Sequence, residues 1–353
     1  MRYRILLIIL FLSALSGQSL FNRWVGSDPF MGSPRSTAMG STHLLNSTGS
    51  SNVRFNPANL GNMKTKRGFD FQLNRSSVFE RWSMPVRDSF GEFLTHADYV
   101  ANEFSFYGTS LGLFGSTELP GIGIAGMGIH YGPLTHFNYQ YSEEVRGSYS
   151  IEDGEYAGKD PIVGYQNLST EGLLMMTSIG AGVNLGGKNI FSFGGAINLV
   201  QSTELTDKLE VDTLYSDVTN LSILPDITTT DKITATSFYT LSASIKLTTN
   251  LKVGGAWEEK MNTPAVPDSW AIDSTSGNFQ FFENNNYIIQ RSNYVKPEIK
   301  TIGISYNSNN DQEISIDFEL NQVVFNSYLN LKDYKQFKFG FEYITQLGTP
   351  IRG

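Results

Sequence analysis

Phe337-Lys338-Phe339-Gly340-Phe341-Glu342-Tyr343 sets a ring at every second position and a polar or small residue between the rings. Successive side chains of a strand point to opposite faces, so this stretch has one greasy face and one polar face. A helical period does not fit it. The same alternation recurs upstream. Ile314, Ile316, Phe318 and Leu320 alternate with Ser315, Asp317 and Glu319, and Leu251, Val253 and Trp257 with Lys252, Gly254 and Glu258. Tyr239, Leu241, Ala243, Ile245 and Leu247 alternate with Thr240, Ser242, Ser244 and Lys246. Phe191, Phe193, Ile197 and Leu199 alternate with Ser192, Gly194, Ala196 and Asn198, and Phe69, Phe71 and Leu73 with Asp70, Gln72 and Asn74.

A soluble sandwich alternates too, so the connections decide. Strands are expected near residues 68–85, 101–116, 121–132, 172–186, 189–205, 233–248, 251–260, 294–307, 311–323 and 335–345. The links after even-numbered strands are tight: 117–120, 187–188, 249–250, 308–310 and 346–349. Those after odd-numbered strands are long: 86–100, 133–171, 206–232, 261–293 and 324–334. Short turns at one end and long loops at the other are the pattern of an outer-membrane barrel. Charged residues are 17% of the 353, below the usual ~25% of a soluble domain, and aromatics are 13%, which suits a wall facing lipid. The expected fold is therefore all-β, a transmembrane antiparallel β-barrel of about ten strands, with the outer membrane as its location and membrane lipid as its surroundings.

Arg2 and Arg4 precede an apolar block at 5–12, and Ala14-Leu15-Ser16 offers a cleavage site, with a second option after Gly17. That order is a signal peptide's, so 1–17 is assigned as one; a buried N-terminal strand or helix is the alternative. Residues 18–67 do not alternate and form a separate segment before the wall, which occupies 68–353. Val86, Phe90, Phe93, Leu94 and Ala97 recur at spacings of three and four, predicting a short helix at the barrel mouth; an irregular loop is the alternative.

The run Ser33-Pro34-Arg35-Ser36-Thr37-Ala38-Met39-Gly40, followed by Phe55-Asn56-Pro57-Ala58-Asn59-Leu60, resembles the N-terminal hatch of FadL-type outer-membrane proteins. That superfamily includes fatty-acid and aromatic-hydrocarbon transporters and the PorV-type proteins of type IX secretion. The resemblance implies a fourteen-stranded barrel, hence a chain truncated at its C-terminus by about four strands, unless 133–171 and 261–293 hide further hairpins. It implies Asn56, Pro57 and Ala58 as gate residues. Pro57 also fixes its own φ and holds Asn56 out of the helical region, which equally makes a simple turn. Two functions follow: passive uptake of a hydrophobic small molecule, or docking of a secreted protein or translocon.

Alternation assigns the lumen-facing charges: Asp70, Lys246, Lys252, Glu258, Asp317, Glu319, Lys338 and Glu342. Their mixed signs are expected to pair across neighbouring strands. Gly121-Ile122-Gly123-Ile124-Ala125-Gly126 matches a dinucleotide fingerprint but runs on as strand, so no cofactor is expected. His130 and His136 have no metal spacing, and no metal is expected. His130 is the one candidate base, with no Ser assigned to it, and an enzyme is not expected. Asp153, Glu155 and Asp160 read as solvated loop residues. With a formal net charge of −8 and no basic cluster, nucleic acid is not a partner.

Overall fold

The computed structural model describes residues 25–29, 31–63, 66–87, 90–146, 162–185, 190–213, 227–272, 293–308, 314–326 and 331–353. The signal peptide assigned to 1–17 and the acidic residues 153–160 lie outside them. In chain order the strands are β1 (Arg67–Arg87), β2 (Phe93–Leu119), β3 (Gly123–His136), β4 (Tyr139–Arg146), β5 (Ile162–Glu171) and β6 (Leu173–Leu185). Then come β7 (Phe191–Val200), β8 (Thr203–Thr213), β9 (Ile227–Ile233), β10 (Thr236–Lys246), β11 (Leu251–Glu258) and β12 (Met261–Ile272). The last are β13 (Asn293–Lys296), β14 (Glu298–Asn307), β15 (Ile314–Val324), β16 (Tyr334–Ile344) and β17 (Pro350–Arg352).

Every pairing is antiparallel, and the strands form two tiers. The lower tier runs β1–β2–β3–β6–β7–β10–β11–β14–β15–β16–β17. The upper tier runs β2–β4–β5–β8–β9–β12–β13. Each upper strand from β4 to β13 continues a lower one across a break of one or two residues: 137–138, 172, 201–202, 234–235, 259–260 and Pro297. Proline cannot donate to a ladder, which accounts for the last break. Much of the sequence expected as long loops is therefore strand that lengthens existing spans without adding to their number.

Among the described residues of 86–97 there is no helix. Val86 pairs with Thr95 and Arg87 with Phe93, closing a β1–β2 hairpin. Register shifts at Trp82/Ser83 and Val86/Arg87 explain the misreading. A bulge inserts a residue and shifts the period-two pattern, leaving apolar residues at helix-like spacings.

The two faces differ sharply. Phe69, Phe71, Leu73, Met127, Phe193, Leu241, Ile302, Phe318 and Phe337 all point outward and are exposed, Phe337 at 79%. So large an apolar surface on a β wall is a lipid-facing one. The inner face is gripped by the segment before β1, which contains α1 (Pro34–Ala38), α2 (Asn52–Phe55) and a 3-10 turn (Pro57–Asn62). Ser33 caps α1 by accepting from Ser36 N–H at 3.2 Å, and Pro34 takes a first-turn position where no amide is needed. Above this segment, level with the strand breaks, Leu134, Phe137, Leu174, Met176, Val200, Leu205, Ile233, Phe238 and Tyr294 belong to one buried apolar cluster.

Candidate functional site

The wall holds the inner segment largely through its main chain. Glu319 Oε1 accepts from the backbone N–H of both His43 and Leu44 at 2.6 Å. Asp317 accepts from Asn46 Nδ2 at 2.7 Å, and Asp70 accepts from Ser50 N–H. Lys252 donates to the Leu45 carbonyl and to Asn59 Oδ1, each at 3.1 Å. Glu342 takes Arg35 Nη2 at 2.7 Å and Arg352 on its other oxygen. Glu258 pairs with Lys296 at 3.1 Å. Lys338 stands opposite Glu319 in the β15–β16 register, and Lys246 lines a cavity at the short-turn end. Most of these charges thus reach inward to the segment; pairing across strands, the sequence-based expectation, describes Glu258–Lys296 and Glu342–Arg352.

Asn56, Pro57 and Ala58 are all buried. The Asn56 amide donates to the Leu44 carbonyl, and Ala58 N–H donates to Ser242 Oγ at 2.9 Å. Gly126, Gly182 and Gly194 face each other across β3, β6 and β7, and Ser242 of β10 continues the row. A Cβ would overlap the Leu60 carbonyl at Gly126, the Pro57 carbonyl at Gly182 and the Ala58 nitrogen at Gly194. The row is a groove moulded on the backbone of the 3-10 turn. The glycines of the apparent dinucleotide fingerprint belong to β3 and its approach, and Gly126 serves this groove.

His43 stacks near Phe55, with centroids 4.6 Å apart, and its Nδ1 lies 3.2 Å from the Ser41 carbonyl. Burial holds its imidazole well below the ordinary 6.5, and the Lys338 charge acts in the same direction. The structure supplies the serine that sequence reading left open for His130: Ser50 Oγ lies 3.1 Å from its Nδ1. That is nucleophile-to-base reach. Both residues are at most 3% exposed and line neither cavity described below, so the contact joins the inner segment to β3.

The wall has a slot. β2 pairs with β3 from Leu119↔Gly123 up to Leu111↔Tyr131, and with β4 at Ala101↔Ser142 and Val100↔Glu143. Between them, no ladder pairing joins residues 105–110 to 132–135 among the described residues. His136, on this open edge, exchanges both backbone hydrogen bonds with Ser27 of the inner segment, at 2.8 and 3.0 Å. Next to Ser27, Asp28 pairs at 3.1 Å with the buried Arg54 of α2. Phe106 stacks on the His136 ring, centroids 4.3 Å apart and 10° from parallel. Beside this contact a cavity of about 750 Å³ is lined by Phe106, Tyr107, Tyr139, Thr170, Gly172 and Leu173, among others.

Two solved structures of the Pseudomonas putida toluene transporter TodX are similar to this chain. One shares 14% identity over 91% of this chain and 80% of that chain, with a TM-score of 0.49. The other shares 14% over 93% and 91%, with a TM-score of 0.45. No family model and no curated protein matches the chain by sequence.

A second cavity, of about 670 Å³, opens at the short-turn end beneath the inner segment. Its lining includes Arg35, Asn62, Lys246, Lys252, Asn307 and Glu342. Sequence reading missed Ser27, Asp28, Arg54 and Ser50, which carry no periodic signal. The groove left a signal that went unused: Gly126, Gly182, Gly194, Gly254, Gly303 and Gly340 all stand at positions where a Cβ would crowd the inner segment.

Proposed function

We propose that this chain is an outer-membrane barrel that passes a hydrophobic small molecule, fatty-acid-like or hydrocarbon-like, sideways through the slot between β2 and β3–β4. The observation that carries the reading is the stoppered slot. Backbone edges in lipid are normally paired, because unsatisfied amides are costly there. Here His136 of β3 bridges to Ser27, a residue of the inner segment, at a level where the β2–β3 ladder has ended. Aromatic side chains border the outside of the slot, and the apolar cluster with Phe137 and Leu174 lies on the inside. An apolar molecule entering from the long-connection end would meet greasy surface throughout. Withdrawal of residues 25–28 opens the slot, and the Asp28–Arg54 pair links that movement to α2 and the hatch residues Asn56, Pro57 and Ala58.

The test exploits the absence of cysteine from the sequence. Directly opposed, hydrogen-bonded residues of an antiparallel pair sit about 5.5 Å apart at Cα, within disulfide range. The double variant Ser27→Cys/His136→Cys should take up labelled oleate or toluene when reduced and lose most uptake when oxidised. Undiminished uptake by the fully oxidised protein would remove the slot as the route.

A second reading has its own observation. β1 has 21 residues and β2 has 27, whereas a tilted span needs about ten. Their hairpin therefore extends beyond the lipid, as a docking surface for a secreted protein or a translocon would. Absence of uptake by the reduced double variant and the wild type alike would favour this role.

A further inference from the structure

The cavity at the short-turn end is not needed for lateral passage. Its lining places Arg35, Lys246, Lys252 and Arg352 around one carboxylate, Glu342. Four cations against one anion leave an excess of three positive charges on the lining. Glu342 is already committed, with one oxygen on Arg35 and the other on Arg352. Asp317, held by Asn46 at 2.7 Å, is not part of the lining, although its charge acts on Lys252 from behind it. Lys246 and Lys252 are direct partners in the β10–β11 register. Like charges at facing positions of paired strands repel, so this pair costs stability unless something lies between them. The acceptors on Lys252 are the Leu45 carbonyl and Asn59 Oδ1, both neutral. The Lys246 side chain makes no hydrogen bond among the described residues. The rest of the lining is largely Asn, Ser and Thr, able to donate to several oxygens at once.

We propose that this cavity binds a small oxyanion, the carboxylate or phosphate of a polar molecule, between Lys246 and Lys252. The volume of about 670 Å³ admits a small organic anion with bound water. Arg35 and Asn46 belong to the inner segment, so the occupied site ties that segment to β10 and β11 from below. The site is independent of the slot and of whatever crosses it.

The test is calorimetric titration of the full chain in mild detergent with inorganic phosphate and with acetate, at constant ionic strength set by sodium chloride. Saturable binding of at least one anion is expected. Phosphate alone would assign a phosphate ligand, and acetate binding would assign a carboxylate. Lys246→Gln should bind about tenfold more weakly, the loss of one charge-assisted hydrogen bond, and Lys246→Arg should restore most of the affinity. Because Lys246 does not hold the inner segment, these variants keep the fold, which a thermal midpoint in anion-free buffer no lower than that of the wild type verifies. No saturable binding of either anion, or equal affinity in Lys246→Gln, overturns the proposal.

Discussion

The two ends of the inner segment are held in opposite ways. Around residues 39–60 the wall meets it backbone to backbone in a glycine groove, and carboxylates seize its amides. Around residues 25–28 the attachments include a β-bridge and an ion pair whose Asp28 side chain is 47% exposed. Screening by solvent at Asp28 weakens that pair, although its Arg54 is buried. The difference teaches where motion is affordable: the segment is rooted in the lower tier and lightly latched at the slot. A stopper needs that asymmetry.

Three perturbations break or sharpen this contrast. The largest effect is expected from Gly182→Val, whose side chain would push into the Pro57 carbonyl. It should cost about 3 kcal/mol, at the upper end for overpacking, read as a lower midpoint in heat-modified gel mobility. A neutral result would mean that the groove yields. Glu319→Ala comes next. Removing the shared acceptor leaves two buried amides unmet, at about 2 kcal/mol. Hydrogen exchange at His43 and Leu44 should accelerate while exchange at Ser27 and His136 stays as it was; equal acceleration at both places would make the segment one rigid unit.

The smallest effect is that of pH. His43 faces Glu319, Lys338 and Arg54, and its folded form favours the neutral ring. The unfolded chain therefore binds the proton first. The His43 contribution is fully present above pH 6.5 and declines as pH falls below it, by no more than about 1.4 kcal/mol per unit. Thermal midpoints between pH 7.5 and 5 should show this decline, and His43→Gln should make it shallower.

Strand positions were legible because alternation is imposed by the backbone itself. The ten stretches expected from sequence match the lower-tier strands β1, β2, β3, β6, β7, β10, β11, β14, β15 and β16 to within a few residues for most. The upper tier was legible only as possible hairpins in 133–171 and 261–293, since breaks at single residues such as Gly172 interrupt the period. Inward charges such as Glu319 could be assigned a face but not a partner. The partners are amides at His43 and Leu44, 276 and 275 positions away, and nothing in an alternating pattern marks a main-chain donor. The slot was invisible for the same reason: it is a missing pairing, and a sequence does not record which strand a residue fails to meet.

The groove has a consequence for how such a wall is made. Its first pieces, on β3, β6 and β7, come from the part of the chain synthesised soon after the inner segment, whereas Glu319 and Glu342 arrive last. Contacts so distant in sequence are slow to form unaided. An inner segment already seated on β3, β6 and β7 would give the later strands a fixed surface to land on. The segment packed inside the wall would then also be the mandrel on which it is wound.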